Sequence, residues 1–353
     1  MKTCIGWDIG GAHLKAVLFD ETRKVQAAQQ IYCPLWQGLA QLEAAVQAVL
    51  SVWRTELHAV TMTGELADIF ENRQQGVEQI VLLLSKLLPG KVSYYAGKRG
   101  LTDANSAIKA WADVASMNWL ASAQFTALHV SDALFVDIGS TTTDIVPIYR
   151  AKPQVQAYSD AARMQCDELV YTGVIRTPLM AVAQKVKVGN QLSHVAAEYF
   201  ATTADVYTLS GDLSLEDNVA STADGADKTM YSCARRIARM VGCDVNDAEL
   251  SAWSKLALEF KQHQINQIKA AMQNQLSRQK KTAESCIIGA GAGSFLVKEI
   301  AHQLGYAYQD VQHFIDADKP DVKKMAAVCF PAYAVGFLAL SGMSHVAMIA
   351  ATD

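Results

Sequence analysis

Two stretches of this chain are built alike. Residues 3–9 form an apolar run that reaches Asp8, turn through Gly10-Gly11, and return along residues 13–19, where apolar and polar residues alternate. Residues 133–138 form a second apolar run reaching Asp137, followed by Gly139-Ser140-Thr141-Thr142-Thr143 and a return from Asp144 to Ile148. Strand, tight turn and strand make a hairpin. Its recurrence 137 − 8 = 129 residues later predicts two related α/β units. A length of 353 residues agrees, at about 150 residues per domain.

The remaining pattern fills in around the hairpins. Val25–Cys33, His58–Met62 and Val92–Tyr95 read as further strands; Leu39–Leu57, Gly76–Leu88 and Asn105–Phe125 have helical spacing. Lys228–Val241 and Leu250–Gln279 predict long helices, and Ser285–Ile288 a strand that runs through Gly289-Ala290-Gly291-Ala292-Gly293 into a helix from Ser294 to Leu304. The expected first domain is 1–130 plus a C-terminal helix at about 331–353; the second is 131–330, with a helical insertion at about 200–283.

Composition narrows the function classes. The formal charge is −4, so nothing draws the chain toward nucleic acid or an anionic membrane. Hydrophobic residues make up 51% of the chain, ample for a core. The seven cysteines are scattered with no C-x-x-C pair, which reads as reduced thiols in a cytoplasmic protein. Residues 325–352 carry no Asp, Glu, Lys or Arg, yet Pro331, Gly336, Gly342 and His345 interrupt them; a buried helix and a closing strand are expected rather than a membrane span.

Three glycine turns could carry chemistry. In the first, Gly10, Gly11 and Ala12 let backbone N–H groups approach an anion, Asp8 can hold a hydrated magnesium ion, and Lys15 either reaches a phosphate or points outward. In the second, the hydroxyls of Ser140, Thr141, Thr142 and Thr143 beside Gly139 could wrap a diphosphate between two carboxylates. In the third, Gly289, Gly291 and Gly293 open a helix whose N-terminus favours an anion or polar group.

In this order the three turns resemble the actin/Hsp70/sugar-kinase superfamily: two ribonuclease-H-like (actin-like ATPase) domains with an interdomain cleft. The resemblance implies that the turns are its two phosphate loops and its adenosine loop, with Asp8, Asp137 and Asp144 at the acidic, magnesium-holding positions. Ala12-His13 stand where nucleotide-hydrolysing members carry Thr or Ser, which weighs against ATP turnover. The runs Thr61–Asp68, Met117–Ala121, Asp167–Val174 with Arg176-Thr177-Pro178, and Thr222–Gly225 are similar to the tetrahydromethanopterin-linked one-carbon transfer pathway proteins, relatives of hydantoinases and oxoprolinases. An archaeal branch of that family makes methanofuran. It couples an aminomethylfuran-methyl diphosphate to the phenol of γ-glutamyltyramine and releases diphosphate. The resemblance implies such a transferase here, with a tyramine- or tyrosine-derived acceptor and Mg2+ (ATP or ADP being the alternative occupant). Small molecules are the expected partners, with homodimerisation left open. The rival readings are an ATP-dependent kinase or hydantoinase-like hydrolase, and a non-catalytic nucleotide-binding sensor.

Such a reaction needs a base for the phenol. Glu65, after Thr63-Gly64 at a strand end, is the first candidate, with Asp205 and Asp224 as alternatives. Arg163 and Arg176 could hold carboxylates or phosphates, and Asn118, Trp119 and Tyr171 could line an aromatic pocket, though Trp119 suits core packing. His13 and His345 are weaker candidates for ligands or proton carriers.

Overall fold

The computed structural model describes residues 3–214, 218, 220–278, 282 and 285–342. The chain divides into two units. One takes the residues up to Asp132, Ile148–Asp160 and the residues from Asp310 onward; the other takes Ala133–Pro147 and Ala161–Gln309. Residues 148–160 and 310–330 therefore fall with the first unit rather than the second. For the later segment the cause is local: Val25 N–H donates to Asp316 O, and the helix Pro320–Val328 packs on the strand that begins at Val25.

The first unit is a six-stranded sheet of β1 (Cys4–Ile9), β2 (His13–Phe19), β3 (Val25–Tyr32), β4 (Leu57–Met62), β5 (Lys91–Tyr95) and β6 (Leu101–Thr102), in the order β3-β2-β1-β4-β5-β6. β1 and β2 are the antiparallel hairpin, with Asp8 opposite Lys15; β4 lies parallel to β1, with Thr61 level with Asp8. Every residue of β1 is buried, as a central strand covered on both faces requires. The helices Leu39–Val52 and Arg73–Leu87 supply Leu42, Val46, Val77 and Ile80 to a core around Trp7, Val60 and Tyr94.

The apolar residues from Met325 to Leu340 are folded inward. The helices Pro320–Val328 and Phe330–Leu340 meet at 98°, and the second crosses β1. The crossing is close because both backbones carry glycine: a Cβ on Gly6 would lie 2.0 Å from Ala332 O, and one on Gly336 would lie 2.5 Å from the Phe19 ring. Among the described residues no single helix is long and apolar enough to cross a membrane; this bent pair passes by length and composition only. The expected closing strand and His345 lie outside the described residues, as do Gln279–Lys281.

The second unit has β7 (Ala133–Ile138), β8 (Thr143–Tyr149), β10 (Leu169–Val170), β13 (Cys286–Ala290) and β14 (Ala307–Asp310), in the order β10-β8-β7-β13-β14. The end of β8, Ile148 and Tyr149, pairs with β9 (Lys152–Pro153) among the residues that fall with the first unit, and β11 (Lys185–Val188) with β12 (Gln191–His194) forms a separate hairpin in the second. The main sheet repeats the first: a hairpin, then a strand parallel to the hairpin's first member. Three helices, Thr203–Ser210, Met230–Arg239 and Leu250–Ser277, form the expected helical segment. The helix expected over Asn105–Phe125 is instead three, Ala104–Lys109, Trp111–Val114 and Asn118–Ala127. Ser116 breaks the run with φ at +54°, a conformation no helix interior accepts.

Candidate active site

In the first unit the glycine turn closes as Gly10 N–H donates to His13 O at 3.0 Å. Asp8 is 4% exposed, and Lys15 Nζ stands 3.9 Å from its Oδ2, so the lysine faces back across the strand pair. His13 is buried, its ring edge-on to Tyr32.

Glu65 occupies a single 3-10 turn, Gly64–Leu66, beyond the end of β4. It is 1% exposed. Ser116 Oγ donates to Oε1 at 2.7 Å, whereas Oε2 is buried without a hydrogen-bond partner among the described residues. Burial pushes the carboxyl up to about 6, against the pull of the Ser116 bond and of Arg73. Arg73 is itself paired with Asp160 at 2.7 Å. The helix Arg73–Leu87 begins with Asn72 capping Gln75 N–H, and it can approach Glu65 only because residue 76 is glycine: a Cβ there would lie 2.5 Å from Glu65 O. Close by in sequence to Ser116, Asn118 turns its Oδ1 to Trp119 N–H, and the buried Trp119 ring lies 6.3 Å from Tyr158, over which Lys98 Nζ sits at 4.0 Å. Segments 64–76, 116–119 and 158–160 thus bring a protonatable carboxylate, cations and aromatic rings into one unit.

In the second unit Gly139 N–H donates to Thr142 O at 2.9 Å and closes the second turn. Ser140 Oγ is buried and has no hydrogen-bond partner among the described residues, which suits it to a ligand oxygen. Thr141 and Thr142 are half-buried. Thr143 is different: its hydroxyl donates to Thr172 O at 2.7 Å, so it holds the backbone and is not a phosphate donor. The third turn folds over the end of β7. Gly291 has φ at +78°, and a Cβ on it would lie 2.2 Å from Asp137 Oδ1; Gly293 N–H donates to Ile138 O. Gly289 packs against the Tyr308 ring and Gly293 against Ile138, so these two serve packing rather than ligand contact.

Four other expectations are corrected by ion pairs. Asp144 is bound by Arg163 at 2.7 Å, and Arg163, 1% exposed, also donates to Glu168 O; neither is placed to serve a metal or a substrate. Asp205 caps the helix Thr203–Ser210 and pairs with the fully buried Arg236 at 2.7 Å. Asp224 pairs with the same Arg236 at 3.0 Å and with Arg235. Both carboxylates are engaged in holding Arg236. Arg176 and Tyr171 lie at the surface of the second unit, Tyr171 54% exposed.

Sequence reasoning missed Ser116, Gly76, Gly173 and Gln264. Gly76 was readable as a glycine inside an amphipathic helix. Gly173 was readable only as part of a family run; its backbone lies against Ser140 and Thr141, where a Cβ would come within 2.5 Å of both.

Among the described residues no three His, Cys, Asp or Glu side chains gather as a metal cage. Magnesium asks for less, one or two carboxylates together with substrate phosphates and water. The buried strand-end carboxylates Asp8 and Asp137 fit that demand, and Asp144 does not.

Two units, each a hairpin-led sheet with glycine turns at its strand ends, define an actin-like ATPase fold. Acetone carboxylase, solved in a nucleotide-free form, shares it with a TM-score of 0.58 at 11% identity, over 95% of this chain and 70% of that one. The chain belongs to the hydantoinase/oxoprolinase family, whose model matches residues 56–315. It is 34% identical over 251 residues to the (4-{4-[2-(γ-L-glutamylamino)ethyl]phenoxymethyl}furan-2-yl)methanamine synthase of Methanocaldococcus jannaschii, covering 70% of this chain and 74% of the relative. The Methanococcus vannielii synthase of the same name is 28% identical over 183 residues, 52% of this chain and 81% of that protein. The chain is thus an enzyme of a family that contains synthases.

Proposed function

We propose that this enzyme joins an aminomethylfuran-methyl diphosphate to the phenol of a γ-glutamyl-tyramine or γ-glutamyl-tyrosine acceptor, in the biosynthesis of a methanofuran-type one-carbon coenzyme. The C–O bond to diphosphate breaks, the phenol oxygen bonds to the methylene carbon, and the phenolic proton passes to a base. The reading is supported by the names of the relatives. The observation that carries it is Glu65: a buried carboxyl, raised to about 6, with one oxygen held by Ser116 and the other without a hydrogen-bond partner among the described residues. A base poised near neutral pH is what proton removal from a phenol needs.

The leaving group needs charge neutralisation rather than covalent help, because a furan-methyl cation is stabilised by its ring. Ser140 Oγ and the backbone amides of the second turn bind diphosphate oxygens. Asp8 or Asp137 would hold a magnesium ion, which would supply further neutralisation of that charge. Arg73 and Lys98 attract the carboxylate of the acceptor, and Trp119 with Tyr158 offers its ring an aromatic wall. Incubation with magnesium, the furan-methyl diphosphate and each acceptor tests the proposal. An ether product of the expected mass supports it; its absence with both acceptors overturns it.

A further inference from the structure

We infer that Gln264, on the helix Leu250–Ser277, is a positioning residue that sets the second glycine turn from below. The inference rests on reading that turn as the diphosphate cradle. Gln264 is 1% exposed, and its side-chain amide makes three hydrogen bonds. Its Oε1 accepts from Tyr207 Oη, and its Nε2 donates to Thr172 Oγ1 at 2.8 Å and to Gly173 O at 2.8 Å. The Gly173 carbonyl also accepts from Thr203 Oγ1 at 2.9 Å, and Gly173 N–H donates to Thr177 Oγ1. Side chains from two helices and one loop therefore converge on the backbone of a single residue.

That residue supports the turn. Having no Cβ, Gly173 lies directly against the Ser140–Thr141 backbone. Val174 N–H donates to Gly139 O, and Arg176 N–H to Ser140 O. Thr143 Oγ1 closes the circuit on Thr172 O, the residue whose hydroxyl Gln264 holds. A buried amide is costly unless satisfied, and a satisfied network fixes one arrangement where apolar contacts allow several. Gln264 thus carries the placement of two helices to the residues that would grip the leaving group, without touching a ligand itself.

The test compares Gln264→Leu, Thr203→Val and a packing control on the same helix, Met272→Ala, whose side chain lies in the apolar core. Hydrogen exchange of the 139–143 amides, which needs no ligand, reads the wiring. Calorimetry with magnesium and inorganic diphosphate reads the cradle. The expected result is exchange of the turn about tenfold faster in Gln264→Leu, the loss of a satisfied buried hydrogen bond. Thr203→Val shows a smaller effect in the same direction, and Met272→Ala leaves the turn unchanged even if its melting temperature falls as far. Diphosphate binding weakens in parallel, and KM rises for the diphosphate substrate but not for the acceptor. Unchanged exchange in both Gln264→Leu and Thr203→Val, or equal acceleration in Met272→Ala, overturns the inference. Should Gln264→Leu fail to fold, Thr203→Val alone decides it. If the turn loosens as expected while wild-type protein binds no diphosphate, the wiring stands and the cradle reading falls.

Discussion

Ser116 Oγ lies 2.7 Å from Glu65 Oε1, although Ser116 sits in the break between two helices and Glu65 in a one-turn helix 51 residues earlier. The bond fixes the carboxyl's orientation while burial keeps it easily protonated. Glu65→Gln preserves shape and removes the base, so ether synthesis should fall by about 10²- to 10⁴-fold. The wild-type kcat/KM should rise with pH through about 6, and Ser116→Ala should shift that limb upward, because the bond it removes favours the charged form. A rate profile with no limb near 6 would contradict the assignment.

Stability gives Glu65 a second signature. Its folded value of about 6 exceeds its ordinary 4.5, so the folded state holds the proton more tightly between those values. The charged form costs stability as pH rises through 6. Glu65→Gln should therefore melt higher than wild type at pH 8 and converge with it near pH 4.5, as measured by thermal denaturation.

His58 should act in the opposite sense. Its ring is fully buried, and Trp7 Nε1 donates to its Nδ1 at 3.2 Å; burial lowers it from 6.5 to about 4. The unfolded chain takes up the proton first as pH falls. Stability from this residue is complete above 6.5 and is lost toward 4, up to about 3 kcal/mol over the window. His58→Gln keeps an acceptor for Trp7 without titrating, so its melting temperature relative to wild type should climb as pH drops from 7 to 5.

Gly76→Ala should reverse the usual rule for helices. Alanine in place of glycine ordinarily stabilises a helix by about 1 kcal/mol. Here the new methyl would meet the Glu65 backbone, so a loss of about 1–3 kcal/mol is expected. Activity should fall as Glu65 is displaced, and chemical denaturation with the ether assay reads both. A gain in stability with full activity would show that the two helices are not held as described.

Asp205 and Asp224 should prove structural. Removing Arg236, as Arg236→Met, leaves two carboxylates facing the space it filled and should cost about 3–5 kcal/mol. Asp205→Asn should lose stability while the folded fraction keeps its rate. A collapse of rate without loss of stability would return Asp205 to the list of bases.

The sequence made the architecture readable where local chemistry dictates it. The two hairpins, their acidic strand ends and the buried apolar helix Phe330–Leu340 each follow from short-range pattern. Glu65 drew notice as a carboxylate behind Thr-Gly at a strand end, where capping a helix is an equally ordinary use; its burial and its bond to Ser116 were not legible. What stayed hidden depends on contacts between distant segments. Arg163 and Asp144 looked like substrate and metal residues, and only the fold shows that they face each other. Thr143 belongs to a run of similar hydroxyls, and the pleat of β8 turns it alone toward Thr172. Ser116 sat inside an apparently continuous helix, and the positive φ that breaks it has no signature in a serine.

Parallel quantification of ether and diphosphate in one reaction is the decisive measurement. Wild-type enzyme with magnesium, the furan-methyl diphosphate and a phenolic acceptor should give the two products one for one, without ATP. Asp8→Asn, Asp137→Asn and Glu65→Gln should each lose both together. Consumption of ATP with no ether formed would contradict the account and would make this chain an ATP-dependent enzyme on the same fold.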